Sequence, residues 1–384
     1  MHLLWITGRT FGEDLCQTTQ IQVANALQKK GVKVTFVSPD NGSTENFVKS
    51  EGHGFVPGIK ISKILGLKSL SFERCLSKSL PEILSKLQPD VAVCDWRGAR
   101  GAWKPLEKAS IPWSMVDRGP PAYRTILGRL QWLHYDRAWK SAGKRATSCF
   151  TVSKAHKEFV QRRFKINKPI IVLPAAADST TFNLTNSQKK EGKPGFDRPL
   201  KIVYHGRLDY SRNVNKLVLV VDQLRYSGVE AELLLFGTGT AERKLRKLSM
   251  KFDWLTVHSK QPFSKVPKLL VEMDLGILPM GNQLVWKTAS PLKLFEYAAS
   301  GLPIIATDIA AHRLEGEPEW IGLVSCDQMI EAMVRKIQSW AIDDKIEKLG
   351  YLARKELHAK YTWDHAINDA LKNLEQMSAS NLDQ

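Results

Sequence analysis

Short, unbroken apolar runs rich in Val, Ile and Leu recur along the whole chain, and each leads into a helical pattern. In the first half they are Leu3–Thr7, Lys33–Ser38, Asp90–Asp95, Ile111–Asp117, Ser148–Ser153 and Ile170–Pro174. In the second half they are Lys201–His205, Ala231–Phe236, Leu255–His258, Leu275–Pro279, Leu302–Thr307 and Ile321–Ser325. Continuous rather than alternating hydrophobicity belongs to strands buried on both faces, as in a parallel sheet covered by helices. The strand–helix repetition therefore predicts an α/β protein of two doubly wound lobes.

The stretch Thr185–Pro199 is polar, rich in Gly and Pro, and without periodicity, which marks it as the linker. The expected layout is a first lobe over 1–184, a linker over 185–199, a second lobe over 200–360 and a C-terminal helix and tail over 361–384. Trp363, Ala366, Ala370 and Leu374 have the spacing of an amphipathic helix there.

Composition then removes several classes. Hydrophobic residues at 43% and charged residues at 25% suit a globular chain with a large core, and no run approaches a membrane span. Cys16, Cys75, Cys94, Cys149 and Cys326 are odd in number, far apart and without a C-x-x-C pair, which fits a reducing compartment and neither a disulfide framework nor a zinc ribbon. The N-terminus shows no basic region and no cleavage site, so the expected location is the cytoplasm. Charge is one-sided. Residues 1–190 hold 30 Lys and Arg against 14 Asp and Glu, while residues 191–384 hold 26 against 25. One lobe is thus expected to face something anionic.

Three motifs bear on chemistry. In the segment from Ser290 to Asp308, Ser290 is the expected N-cap, Pro291 the first helical residue and Gly301 the helix terminator. Leu292 and Lys293 follow in the first turn. A cation there opposes the helix dipole unless an anion sits there too, and free amides with a lysine can cradle phosphate. Glu296, on the same face, is placed to accept from sugar hydroxyls. A capped surface helix with one Lys–Glu pair accounts for this segment equally well in isolation. Gly206-Arg207, with Arg212 five residues on, follows a buried strand; Gly permits close approach and two arginines can clamp a diphosphate. Two unrelated solvated arginines are the alternative. Gly237 and Gly239 end another strand, as either a nucleotide loop or a plain tight turn.

Taken in this order, the motifs resemble those of family-4 retaining glycosyltransferases of the two-Rossmann-lobe (GT-B) architecture. The family's Gly-Arg-x-x-x-x-Lys motif corresponds to Gly206-Arg207 with Arg212, its Gly-x-Gly turn to Gly237 and Gly239, and its Lys-x-x-Glu helix to Lys293 and Glu296. In the first lobe the likeness is looser: a Gly8/Gly12 loop after the first strand, Val152-Ser153, and Leu173–Asp178 before Phe182. The sequence departs from the family at three places. Thr288 stands where a first glutamate is common, Arg212 where the clamp is a lysine, and Ala176-Ala177 where Asn-Gly precedes the aspartate. The resemblance implies two lobes facing across a cleft, with the C-terminal helix crossing back to the first.

At the end of a first-lobe strand, where relatives carry a histidine facing the sugar, this chain has Asp117 and Arg118. Asp117 could orient an acceptor hydroxyl and Arg118 meet a phosphate; an ordinary salt-bridged turn is the alternative. Between Tyr123 and Arg145, Arg124, Arg129, Arg137 and Lys140 alternate with Trp132 and Trp139. That pattern describes either an interfacial helix on an anionic bilayer, on the inner face of the membrane, or a helix with core tryptophans and solvated arginines.

The resulting expectation is a glycosyltransferase that moves a sugar from a nucleoside-diphosphate donor to a glycan or lipid-linked acceptor with retention. Arg207 and Arg212, helped by Lys293, would stabilise the departing diphosphate. No metal or other cofactor is expected, because no dense carboxylate or histidine cluster appears. Two rivals remain at this stage. One is a sugar-nucleotide epimerase of the same architecture. The other is a non-catalytic lobe pair binding a membrane or nucleic acid through its basic half, although that half matches no nucleic-acid-binding module.

Overall fold

The computed structural model describes residues 1–11, 17–62, 68–122, 126–182 and 192–382. The chain divides into two compact units, Met1–Ala175 with Trp363–Gln384, and Ala176–Thr362.

The first unit is built on seven strands: β1 (His2–Ile6), β2 (Lys33–Val37), β3 (Gly54–Val56), β4 (Val91–Asp95), β5 (Trp113–Asp117), β6 (Ser148–Thr151) and β7 (Ile170–Val172). Their order is β3-β2-β1-β4-β5-β6-β7, and each pairing is parallel. Leu3 pairs with Val34 on one side and Val91 on the other, so the apolar run of β1 is sheet centre. Helices Lys68–Leu87, Ala99–Lys108 and Ile126–Arg145 contribute Leu76, Leu80, Ala102, Leu106, Tyr135 and Trp139 to the core against that sheet. Strand β3, three residues long, is too short to give a hydrophobic signal of its own.

The second unit holds β8 (Leu200–Arg207), β9 (Ala231–Thr238), β10 (Leu255–His258), β11 (Leu275–Leu278), β12 (Ile304–Thr307) and β13 (Ile321–Val324). They form a parallel sheet in the order β10-β9-β8-β11-β12-β13. Both sheets have the doubly wound order, which reverses between β1 and β4 in one and between β8 and β11 in the other. Ligands in such folds bind beyond the carboxyl ends of the strands at that reversal.

The chain passes from one unit to the other at Ala175/Ala176, ahead of the stretch expected to be a linker. Residues 183–191 lie outside the described residues. From 192 the polar segment is part of the second unit's fabric rather than a free tether. Gly195 accepts from the Glu230 amide at 2.9 Å, and Arg198 grips Asp274 with two hydrogen bonds of 2.7 and 3.0 Å. Phe182, 2% exposed, packs on Phe263 with ring centroids 5.9 Å apart. The C-terminal segment rejoins the first unit through Trp363, Ile367, Ala370, Leu374 and Met377, all buried at helical spacing. Ile367 takes the buried place that the sequence pattern gave to Ala366.

Candidate functional site

The second unit gathers its motifs at the carboxyl ends of β8, β9, β11 and β12. Helix Leu292–Ala299 opens one residue later than its sequence suggests: Pro291 is the N-cap and Ser290 lies outside it. A proline N-cap offers no side-chain acceptor of its own. Lys293 is therefore the second helical residue. At the other end Gly301 is left-handed (φ 77°), and the amides of Gly301 and Leu302 return to the carbonyls of Ala298 and Tyr297, closing the helix.

Lys293 packs directly on the end of β8. Gly206 has φ 104°, a conformation that favours glycine, and a methyl group there would lie 2.9 Å from Lys293 Cε and 3.0 Å from Nζ and displace the end of that side chain. Gly237 is held as tightly, since a Cβ there would collide with the carbonyl oxygen of Gly206. Gly239 lies against the backbone of Leu208. The ammonium group of Lys293 sits 5.4 Å from the centre of the Tyr204 ring. Close backbone approach thus brings a lysine, a glycine turn and a helix N-terminus to one corner.

Glu296 is buried and bonds through Oε2 to His205 Nε2 at 2.8 Å. Tyr297 completes the arrangement: its hydroxyl accepts from the His205 amide at 3.1 Å and lies 3.2 Å from Nδ1. The imidazole therefore donates to the carboxylate and accepts from the phenol. Burial lowers the His205 pKa despite Glu296, so the ring is neutral at pH 7. His312, after β12, is also neutral: burial brings it down to about 4, and its Nδ1 sits 2.7 Å from the Thr307 carbonyl. Thr288, 2% exposed, turns its hydroxyl to the Leu284 carbonyl at 2.9 Å and acts as a helix end.

The arginines are placed differently from a symmetrical clamp. Arg207, on the surface, forms a two-bond pair with Asp209 (2.9 and 3.1 Å), and Asp209 also accepts from the Thr240 amide. Burial raises the Asp209 pKa, but the Arg207 and Thr240 hydrogen bonds outweigh it and hold the carboxyl below its ordinary value. Arg212 stacks 4.3 Å from the centre of the Trp286 ring, whose indole donates to the Ser211 carbonyl at 3.1 Å. Asn213, left-handed at φ 57°, ties the same loop to the end of β11 through the Pro279 carbonyl at 3.1 Å. His205, Asn213, Trp286 and Tyr297 lie within or beside the sequence motifs, but motif reasoning assigned them no role.

In the first unit, Gly8 donates its amide to Asp95 at 2.9 Å, and the same carboxylate accepts from Thr7, Arg97 and Gly98. It staples the ends of β1 and β4 together. Asp117, expected to orient an acceptor hydroxyl, is corrected to a structural group. It is fully buried; Oδ2 accepts from Tyr135 (2.7 Å) and Trp139 (2.8 Å) and lies 3.1 Å from His156, while Oδ1 accepts from Gly119 (2.9 Å). Burial pushes its pKa up, but His156 and these donors win and the carboxyl stays ionised. Arg118 is half-buried beside it. Trp139 likewise belongs to the core and not to an outer face, with 0% exposure. Trp132 is half-buried against Tyr135 and Phe159. Arg129, Arg137 and Lys140 are exposed, and Arg124 lies outside the described residues.

One first-unit cluster carried no motif. Glu73, on helix Lys68–Leu87, faces His134, on helix Ile126–Arg145, with Oε1 and Nε2 3.5 Å apart and both side chains about one-tenth exposed. Arg100 stands 3.7 Å from Oε2. Burial pushes the Glu73 carboxyl up to about 7 and brings the His134 imidazole down to about 4. Among the described residues no group of three or more His, Cys, Asp or Glu is placed to hold a metal ion.

With this geometry in place, comparison with known proteins adds two domain assignments. Residues 17–180 match the model described as glycosyltransferase family 4, and residues 199–343 the model described as glycosyl transferases group 1. Among curated proteins none matches by sequence. Solved structures similar in fold include sucrose-phosphate synthase from Thermosynechococcus elongatus (14% identity, TM-score 0.75, 99% of this chain and 100% of that one). HepE from Anabaena in complex with UDP is 13% identical, with TM-score 0.67 and full coverage of both chains. The pneumococcal O-GlcNAc transferase GtfA in complex with UDP and GlcNAc is 12% identical, with TM-score 0.69 and 98% and 99% coverage. These likenesses establish the two-Rossmann-lobe GT-B fold.

Proposed function

We propose that this chain, whose two domains match glycosyltransferase family models, transfers a sugar from a nucleoside-diphosphate donor, with retention, to a glycan or lipid-linked acceptor. The observation that carries this reading is the packing of Lys293 on Gly206 beside the N-terminus of helix Leu292–Ala299, at the reversal point of the second sheet. A lysine ammonium and a helix N-terminus in one corner suit a diphosphate.

The donor would lie against the second unit. Lys293 and the first helical turn would take charge that builds on the leaving diphosphate as the glycosidic bond breaks, which is preorganised electrostatic stabilisation. Arg212, held flat by Trp286, would add a second fixed cation. Arg207 would join on exchanging Asp209 for phosphate oxygens. Glu296, oriented by His205, would accept from hydroxyls of the donor, and the first unit would bind the acceptor. Lys293, Arg207 and Arg212 can carry this charge, so turnover is expected without a metal ion. UDP bound to HepE and to GtfA makes UDP-sugars the first donors to try.

The test is nucleotide release from a panel of UDP-, GDP- and ADP-sugars, with the anomeric configuration of the sugar product read by NMR. One donor giving nucleotide diphosphate and a retained anomer supports the proposal. An inverted product removes retention, and no turnover or binding of any nucleotide-sugar removes the transferase reading for this chain.

A further inference from the structure

On the reading of this corner as the donor site, we propose that Tyr297 and His205 are positioning residues for it. The phenol decides which ring nitrogen of His205 carries the proton, and the ring then holds the Glu296 carboxylate by one oxygen and turns the other to the donor.

The hydrogens run one way through these three side chains. The Tyr297 hydroxyl accepts from the His205 amide at 3.1 Å, so its own single proton is left for Nδ1, 3.2 Å away. Burial raises the pKa of the phenol well above its usual range, and the proton stays on it. An imidazole that accepts at Nδ1 carries its proton at Nε2, and Nε2 lies 2.8 Å from Glu296 Oε2. The opposite tautomer would set the Nε2 lone pair against Oε2 and strand the phenol proton. Because burial keeps the ring neutral, only one of the two tautomers is present, and Tyr297 selects it.

Each member is pinned by a strand. The His205 ring, at the end of β8, lies over Phe236 of β9 with centroids 5.1 Å apart and planes 23° apart, and it meets Tyr297 edge-on at 5.2 Å. The Tyr297 ring is wholly buried on the backbone of Gly276 in β11, where a Cβ would overlap it. These strands are neighbours, in the order β9-β8-β11, so the holder is built where the sheet reverses. Glu296 follows Lys293 by one turn on the same helix face. Among the described residues its Oε1 takes no hydrogen bond, so a carboxylate held at Oε2 presents Oε1 to hydroxyl groups beside the diphosphate corner. A neutral imidazole orients the carboxylate without pairing its charge, which strengthens the hydrogen bonds that Oε1 accepts.

The experiment has two arms. Nitrogen NMR of the full chain labelled at its histidine rings, with His205 identified by its loss in His205→Asn, reads which ring nitrogen is protonated. Calorimetric titration of UDP-glucose, GDP-mannose and ADP-glucose into the wild type, Tyr297→Phe, Glu296→Gln and the double variant reads the coupling between the two side chains, with circular dichroism to confirm folding. The expected result is a neutral His205 protonated at Nε2. Affinity for the bound donor should fall at least roughly fivefold in Tyr297→Phe, with no further loss when that change is added to Glu296→Gln. The tautomer is read on the wild type and stands whether or not Tyr297→Phe folds. His205 protonated at Nδ1, wild-type affinity in Tyr297→Phe, or the same loss in both backgrounds overturns the proposal and leaves the donor site standing. A wild type that binds none of the three nucleotide-sugars fails the donor reading, and the proposal with it.

Discussion

Glu73 and His134 give the structure a quantitative test that needs no substrate. The imidazole donates to the backbone of Arg97, which leaves Nε2 as an acceptor 3.5 Å from Glu73 Oε1. Among the described residues neither Glu73 Oε1 nor His134 Nε2 has a hydrogen-bond partner, and burial keeps the carboxyl protonated and the imidazole neutral, so the two groups together hold one proton between about pH 4 and about pH 7. Unfolded, the same two groups titrate near 4.5 and 6.5 and also hold one proton in the middle range. Folded and unfolded proton counts nearly match, and the wild-type pair contributes little pH dependence between about pH 5 and pH 7. Removing either member uncovers the other. In Glu73→Gln the imidazole alone is depressed from 6.5 to about 4, so its stabilisation is present above 6.5 and lost as pH falls. In His134→Gln the carboxyl alone is raised from 4.5 to about 7, so its stabilisation is present below 4.5 and lost as pH rises. From about pH 5 to pH 7 each change amounts to roughly 2 kcal/mol, with opposite signs relative to wild type. Urea unfolding of the three proteins across that range reads this directly. Two variants with the same slope, or both parallel to wild type, would refute the two opposed shifts and the burial that causes them.

Four other outcomes follow from the geometry. Gly206→Ala places a methyl against Lys293 at a left-handed position, and should weaken donor binding at least roughly tenfold while costing about 1–2 kcal/mol of stability, by calorimetry and melting. Asp117→Ala strands Tyr135, Trp139 and His156 in the core and should cost roughly 3–5 kcal/mol; a variant as stable as wild type but inactive would restore a catalytic role. Trp286→Ala frees Arg212, and should lower kcat/KM more than stability, checked by paired kinetics and melting. Turnover should persist in EDTA, and loss restored by a divalent ion would show a metal requirement.

Much of this was legible in the chain because parallel strands announce themselves. Runs such as Leu3–Ile6 and Ile304–Thr307 are buried on both faces and must be apolar throughout. Gly206, Gly237, Lys293 and Gly301 were legible because steric demand permits few alternatives. What failed was any inference about the direction of a side chain. Trp139 and Asp117 satisfy each other in the core, and a basic helix with tryptophans looks the same from outside whichever face they occupy. Ser290 lost its capping place to Pro291 by one residue, a shift that helix boundaries commonly show. Trp286 and Glu73 act through partners far away in sequence, and no spacing rule reaches them.

The corner formed by Lys293, Gly206 and the first turn of helix Leu292–Ala299 is expected to hold a nucleoside diphosphate. Isothermal titration of UDP, GDP, ADP, CMP and dTDP into the wild type and into Lys293→Ala tests it most directly. One diphosphate should bind the wild type, and Lys293→Ala should lose at least roughly tenfold in affinity, as removal of a charge-assisted phosphate contact should. Binding unchanged in Lys293→Ala, or no binding of any diphosphate to the folded protein, would contradict it.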